Sequence, residues 1–281
     1  MDLRKALNSK FRTRPIHLAP VVASTMIGIL CGYLILTSSF EAIPVTPFSE
    51  DSAGSLFNAF YFVILALVGA TFLYLLLKRK KHKLITLVTG FAMTTAIFML
   101  SLIYMWTILS RFDVPYADAV IIFVAIFTTM SADYAIFRMR GKVSSLILLG
   151  VGGSLGALLG FSIPTQSTVL ILGFLAVYDV YAVYRGPVGK IAQSGLERFR
   201  GLSLSFRDTQ IGLGDLTFYS MLSSHMFIYF GIAPCAASVV GILLGCLLSF
   251  KMLEKKGMFP GLPFPVLFGL TAGILTTLVS F

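Results

Sequence analysis

Residues 167–185 read STVLILGFLAVYDVYAVYR, an apolar run long enough to cross a bilayer that carries a single acid, Asp179. A second such run, residues 209–230, carries Asp215 within the sequence GLGDLT at 212–217. An ionisable side chain inside a membrane span is costly to bury, so it is a candidate functional residue by default. The rest of the chain can be interpreted as the frame that holds these two aspartates together.

The two aspartates are predicted to lie at similar depths below the same membrane face. Asp179 precedes Arg185 by six residues and Asp215 follows Arg207 by eight. At about 1.5 Å per helical residue, they lie roughly 9 Å and 12 Å inside that face. Neighbouring antiparallel helices would bring the carboxyl groups face to face, where like charges cannot both ionise and the pair shares one proton. This is aspartic-protease chemistry: one carboxylate takes a proton from water and the protonated partner polarises the scissile carbonyl.

The chain has more apolar surface than a soluble domain of its size can bury. Of its 281 residues, 57% are hydrophobic and 12% are charged, and the mean hydropathy is +0.90. These values indicate an all-α polytopic membrane protein. We predict about nine spans, at residues 16–39, 55–77, 84–110, 116–137, 144–161, 167–185, 209–230, 234–250 and 260–281.

The net charge of +10 is explained by membrane topology rather than by a nucleic-acid partner. With these spans, 21 of the 22 Lys and Arg residues fall on one side and only Arg111 falls on the other. Cytoplasmic loops carry such an excess of basic residues. We therefore predict an integral, multi-pass protein with a cytoplasmic N-terminus, an external C-terminus at Phe281, and both aspartates in the cytoplasmic half.

The spans are predicted to form a single membrane domain in two parts. Residues 1–185 form a six-helix part that ends with the helix of Asp179, and residues 209–281 form a three-helix part. A cytoplasmic link, residues 186–208, joins them. Within it, residues 188–199 have the apolar spacing of a short surface helix, which would either anchor the link at the interface or gate the site.

Several other features are interpreted as structural. Gly152, Ser154 and Gly156 match the G-x-S-x-G pattern of serine hydrolases, but no strand precedes them and no histidine is within reach, so helix packing through small residues is favoured. Asp133 is a third membrane acid, expected to support the site from outside the pair, because Arg140 on the same helix face can pair with it. The three cysteines all lie in predicted spans and suggest no disulfide framework or metal site, and we expect no cofactor.

Two motifs are predicted to open the backbone near the aspartates. Gly212 and Gly214 remove side-chain bulk directly before the second aspartate, which lets water and a substrate main chain approach. Residues 260–263 read PGLP, and a proline biases the residue before it towards extended geometry. The exposed backbone groups of Gly261 and Leu262 could then pair with an extended substrate. The alternative is an ordinary helix start marked by proline.

These motifs resemble the three signatures of the presenilin and signal peptide peptidase family, which are intramembrane aspartyl proteases of nine spans. The resemblance rests on Tyr178 with Asp179, on Gly212, Leu213, Gly214 and Asp215, and on Pro260, Gly261, Leu262 and Pro263. It implies that Asp179 and Asp215 are catalytic and that the other motif residues bind substrate. The short link resembles the single-chain prokaryotic, archaeal-type members.

The resemblance has one departure, because Gly261 stands where the family has alanine. We expect Gly261→Ala, which restores the family residue, to stay active.

The partners implied by the resemblance are transmembrane-helix substrates and the lipid bilayer. A proton- or ion-coupled transporter also uses buried acids and broken helices, and prepilin and preflagellin peptidases use a motif like GLGD, so both remain alternatives. The sequence leaves the substrate and the oligomeric state open.

Overall fold

The computed structural model describes residues 12–41, 45–112, 115–139, 142–186, 203–206 and 209–279. Within these ranges the chain forms nine long helices and one two-stranded hairpin. The helices are α1 (Ala19–Leu36), α2 (Ser52–Lys78), α3 (His82–Leu109), α4 (Ala117–Phe137), α5 (Lys142–Ser162), α6 (Thr165–Tyr184), α7 (Leu213–Phe230), α8 (Ile232–Lys256) and α9 (Pro263–Val279). A 3-10 turn, Pro15–Leu18, leads into α1, and the strands β1 (Ser203–Phe206) and β2 (Thr209–Gly212) precede α7.

The predicted all-α polytopic membrane fold is confirmed. Seven of the described helices, α1 to α6 and α8, are long and apolar enough to cross a membrane. The helix α9 is apolar but has only 17 residues. The helix α7 has 18 residues and a buried polar series: Thr217, Ser220, Ser223, Ser224 and His225. Because α7 is surrounded by other helices, these side chains are shielded from lipid.

The predicted start of the seventh span is wrong. Residues 209–212 were expected to be helical, but they form β2, which pairs antiparallel with β1. Leu204 lies opposite Ile211 in this register, and both are buried. Gly212 has extended backbone angles, φ −66° and ψ 141°, and α7 begins only at Leu213. The depth of about 12 Å assigned to Asp215 assumed a continuous helix from Arg207, so that value does not hold.

The last span also begins later than predicted. Residues 258–262 are not helical, and α9 begins at Pro263 rather than at residue 260. This agrees with the expected break before the proline, since proline disfavours helical geometry in the residue that precedes it. The surface helix predicted at residues 188–199 lies outside the described residues.

The helix α7 packs most closely against α5, and glycines make this close approach possible. A Cβ atom added to Gly156 would lie 2.5 Å from the backbone oxygen of Thr217, and one added to Gly160 would lie 2.6 Å from that of Met221. The Ser154 hydroxyl donates to the Gly150 carbonyl of its own helix at 2.7 Å. The prediction that this glycine-rich stretch serves helix packing is confirmed.

Candidate active site

The two aspartates lie near helix ends. Asp179 is five residues before Tyr184, the last residue of α6. Asp215 is in the first turn of α7, three residues after the N-cap residue Gly212, and its carboxyl group is hydrogen-bonded by the Gly212 backbone. A side chain at this third helical position can reach back to the N-cap amide, as in a capping box. Asp215 is therefore held by local helix-start geometry.

The segment between α8 and α9 brings the two carboxyl groups together. The Leu262 amide donates to Asp179 Oδ2 at 3.0 Å. A Cβ atom added to the neighbouring Gly261 would lie 2.6 Å from Asp215 Oδ2 and 2.9 Å from its Cγ. The two carboxyl groups also interact with each other electrostatically. Both aspartates thus flank a single short stretch of backbone within the PGLP motif at 260–263.

Helix packing explains why both aspartates lie beside the segment between α8 and α9. The helices α6 and α7 contact each other only slightly, whereas α9 packs against both of them. The segment that leads into α9 is non-helical from residue 258 to residue 262. It therefore lies between the two aspartate helices and supplies backbone groups to each.

Tyr219 completes the site and was not identified from the sequence. Its hydroxyl donates to the Gly261 carbonyl oxygen at 2.8 Å, and its side chain is buried. It follows Asp215 by four residues on α7, so the two side chains lie on the same helix face. That spacing is the sequence signal that could have identified it, although a tyrosine in an apolar helix is by itself unremarkable.

A cavity of about 80 Å³ lies against Asp215. It has room for a small cluster of water molecules, each of which occupies about 30 Å³ in the liquid. The Ser249 hydroxyl lines it and is buried without a hydrogen-bond partner in the described part of the chain. The remaining lining residues are Val21, Gln210, Ile211, Tyr219, Cys246, Phe250, Leu253, Phe259, Pro260 and Gly261. Asp215 therefore contacts a partly polar space that can hold water.

Not every motif residue lies at this cavity. Leu213 is buried in a hydrophobic cluster with Leu204 and is not among the residues that line the cavity. Gly214 is exposed. The Tyr178 hydroxyl is buried and has no hydrogen-bond partner among the described residues. Pro263 is the first residue of α9 and follows the segment that contacts the aspartates.

Asp133 has a partner of its own. Thr94 on α3 donates a hydrogen bond to Asp133 Oδ2 at 2.7 Å, while Oδ1 is buried without a partner in the described ranges. Asp133 lies on α4, which packs mainly against α3 and α5. Arg140, the partner expected from the sequence, lies outside the described residues. The structure does not bring Asp133 to the residues 260–262 that join the other two acids.

A helical membrane fold in which two aspartates meet at one break in the helices defines the class of intramembrane aspartyl proteases. The chain belongs to the family described as signal-peptide peptidase, presenilin aspartyl protease, whose family model matches residues 17–189. This match includes Tyr178 and Asp179 and extends over most of the six-helix part, where no other motif carried the resemblance. Asp215 and residues 260–263 lie beyond it.

Comparison with solved structures supports the same fold. A presenilin family intramembrane aspartate protease in a C222 crystal is similar with a TM-score of 0.65 and 19% sequence identity, over 93% of this chain and 97% of that chain. A second structure with that description, in a P2 crystal, gives a TM-score of 0.64 and 19% identity over 93% and 96%. No curated protein matches the chain. The transporter and prepilin-peptidase alternatives are not favoured by these findings.

The chain is therefore an integral, multi-pass intramembrane protease of the aspartic type. Its family implies substrates with transmembrane segments, cleaved within a lipid bilayer.

Proposed function

We propose that Asp179 and Asp215 form the catalytic pair that hydrolyses peptide bonds of transmembrane protein substrates. The observation that carries this proposal is that the two carboxyl groups border adjacent residues, Asp179 at the Leu262 amide and Asp215 at Gly261, next to a cavity with room for water. General acid–base catalysis by two carboxyl groups needs this proximity, because both must reach the same water and the same carbonyl.

The reaction follows from one proton shared by the pair. The ionised carboxylate takes a proton from water as the water oxygen attacks the carbonyl carbon of the scissile bond. The protonated carboxyl group donates a hydrogen bond to the carbonyl oxygen and stabilises the charge that develops there. Collapse of the tetrahedral intermediate breaks the C–N bond, and a proton passes from the pair to the leaving nitrogen. Asp215 lines the cavity and Asp179 is not among its lining residues, so Asp215 is the carboxyl group that water in the cavity can contact directly.

The substrate must present an extended backbone, because a helical segment shields its peptide bonds in its own hydrogen bonds. The Gly261 carbonyl and the Leu262 amide, which the sequence suggested as pairing groups, already bind Tyr219 and Asp179. The hairpin offers a different surface. The strand β2 ends at Gly212, three residues before Asp215, and within the described ranges β1 is its only partner strand, along one edge. Strand addition at its other edge would lead an extended substrate to the aspartates.

The catalytic pair is tested by cleavage of a model transmembrane peptide by purified protein. Asp179→Asn and Asp215→Asn are each expected to lower kcat at least about 10⁴-fold, since either loss removes the shared proton. Asp133→Asn is the matched control, because it also neutralises a membrane acid but has its own partner on α3. It should keep substantial activity. Full activity in either Asp179→Asn or Asp215→Asn would exclude that residue as a catalytic group.

The proposed orientation has the N-terminus in the cytoplasm and the C-terminus outside. It rests on the positive-inside distribution, in which 21 of 22 basic residues fall on one side of the predicted spans. Both aspartates then lie in the cytoplasmic half of the membrane. A bound transmembrane substrate would be cut nearer its cytoplasmic end, and by the family resemblance substrates with an external N-terminus are preferred.

A further inference from the structure

We propose that Tyr219 is a positioning residue that orients the aspartate pair through one peptide unit, the bond between Gly261 and Leu262. The inference rests on the proposed function, because it assigns Tyr219 a role in presenting Asp179 and Asp215. It concerns a side chain that none of the three sequence motifs includes.

The peptide unit is held at both ends. Its carbonyl oxygen, on Gly261, accepts a hydrogen bond from the Tyr219 hydroxyl at 2.8 Å. Its amide, on Leu262, donates to Asp179 Oδ2 at 3.0 Å. A peptide unit is planar, and in the trans form its C=O and N–H groups point in opposite directions. Fixing the carbonyl with Tyr219 therefore also aims the amide at Asp179.

The same peptide unit also borders Asp215. The space above the Gly261 Cα is filled by the Asp215 carboxyl group, whose three terminal atoms lie 2.6 to 3.1 Å from where a Cβ would be. Tyr219 and Asp215 are one helical turn apart on α7. The hydroxyl thus connects the helix of Asp215 to the backbone that binds Asp179, while direct contact between α6 and α7 is slight.

The role depends on the hydroxyl rather than on the ring. The Tyr219 side chain is 4% exposed and belongs to the main hydrophobic cluster, so Phe can keep its packing. Without the hydroxyl, the Gly261 carbonyl loses its donor at a partly buried site, and the peptide unit is free to rotate towards another partner, such as water in the adjoining cavity. Rotation would withdraw the Leu262 amide from Asp179 and move the Gly261 Cα against Asp215.

Kinetics of Tyr219→Phe test the proposal, with Tyr229→Phe as the matched control. Tyr229 is on the same helix and its hydroxyl also donates to a backbone carbonyl, that of Phe161 at 2.7 Å. For Tyr219→Phe we expect kcat to fall on the order of 10²-fold with KM within about 2-fold of the parent value, as for misplaced reacting groups. Tyr229→Phe should change kcat by less than about 2-fold. A parental kcat in Tyr219→Phe would overturn the proposal.

Hydrogen exchange gives a second readout that does not depend on cleavage. Within residues 260–263 only Gly261 and Leu262 carry amide protons, since the other two are prolines. Tyr219→Phe should speed exchange in this segment about 10-fold or more, and Tyr229→Phe should not. Unchanged exchange in Tyr219→Phe would refute the proposal that Tyr219 holds this peptide unit, whatever the kinetics show. If the parent protein shows no cleavage that depends on Asp215, the proposed function fails, and exchange alone still decides whether Tyr219 holds the peptide.

Discussion

Gly261 has no side chain, and this leaves room for the Asp215 carboxyl group. A Cβ at this position would lie within 3.1 Å of Oδ1, Oδ2 and Cγ of Asp215, which is closer than Cβ atoms normally approach other atoms. An aspartate side chain is short, so the carboxyl group must move as a whole to relieve the contact. Gly261→Ala is still expected to be active, and the structure adds the prediction that its rate is lower.

We now expect Gly261→Ala to lower kcat about 10-fold and Gly261→Val to lower it further, because each displaces the carboxyl group that faces the cavity. Gly173→Ala on α6 is the control, since a Cβ there meets no atom within 4 Å. Steady-state cleavage of the model peptide measures the difference. Parental kcat in Gly261→Ala would mean that the Asp215 carboxyl group tolerates displacement.

The candidate residues differ in how far the sequence could predict them. Asp179 and Asp215 are acids in apolar runs, which is a rare and specific pattern. Tyr219 is an amphipathic side chain in an apolar helix, where burial against other helices is the ordinary outcome. Only the structure reveals its partner, because Gly261 is 42 residues away in the chain. Contacts across such separations depend on helix packing that no local pattern encodes.

Among the secondary-structure elements, the hairpin before α7 is the main one that the hydropathy pattern did not predict. A window of membrane length averages residues 209–212 with the apolar helix that follows. The local pattern was nevertheless present, because β1 reads Ser-Leu-Ser-Phe, with the alternation typical of a strand. The break before Pro263 was predicted, because proline restricts the backbone of the residue that precedes it, whereas the strand that ends at Gly212 was not.

The α5–α7 contact yields a prediction about stability. Gly156→Ala places a methyl group against the Thr217 backbone oxygen and should destabilise the protein by about 1–3 kcal/mol, as overpacking does. Gly150→Ala on the same helix meets no atom within 4 Å, so it should leave stability unchanged or raise it by up to about 1 kcal/mol through helix propensity. Thermal unfolding in detergent compares the two. Equal unfolding temperatures would show that α5 and α7 can move apart to admit the methyl group without loss of stability.

At the scale of the whole molecule, two hydrogen bonds agree with the charge distribution. The Thr13 amide donates to Glu254 Oε2 at 2.9 Å, which places the segment before α1 beside the C-terminal end of α8. Arg111, the basic residue on the other side, donates to the Leu34 carbonyl at the opposite end of α1 at 2.7 Å. The described residues that precede α1, among them Arg12 and Arg14, therefore lie on the same face as the lysines that end α8. The segment that holds Gly261 and Leu262, which border the two aspartates, follows α8 on this face.

The orientation of that face can be tested with single cysteines in a background that lacks Cys31, Cys235 and Cys246. Ser49 and Lys255 are both exposed: Ser49 lies three residues before the start of α2, and Lys255 lies near the end of α8. If the basic face is cytoplasmic, an impermeant thiol reagent applied to intact cells should label Ser49→Cys and spare Lys255→Cys.

Permeabilised cells provide the control, because both positions should then be labelled to a similar extent. The opposite pattern in intact cells would place the basic face and the aspartates in the outer half of the membrane. A substrate would then be cut nearer its external end, and the proposed preference for an external N-terminus would have to be reversed. Labelling thus decides both the topology and the substrate orientation, because both follow from the side on which α8 ends.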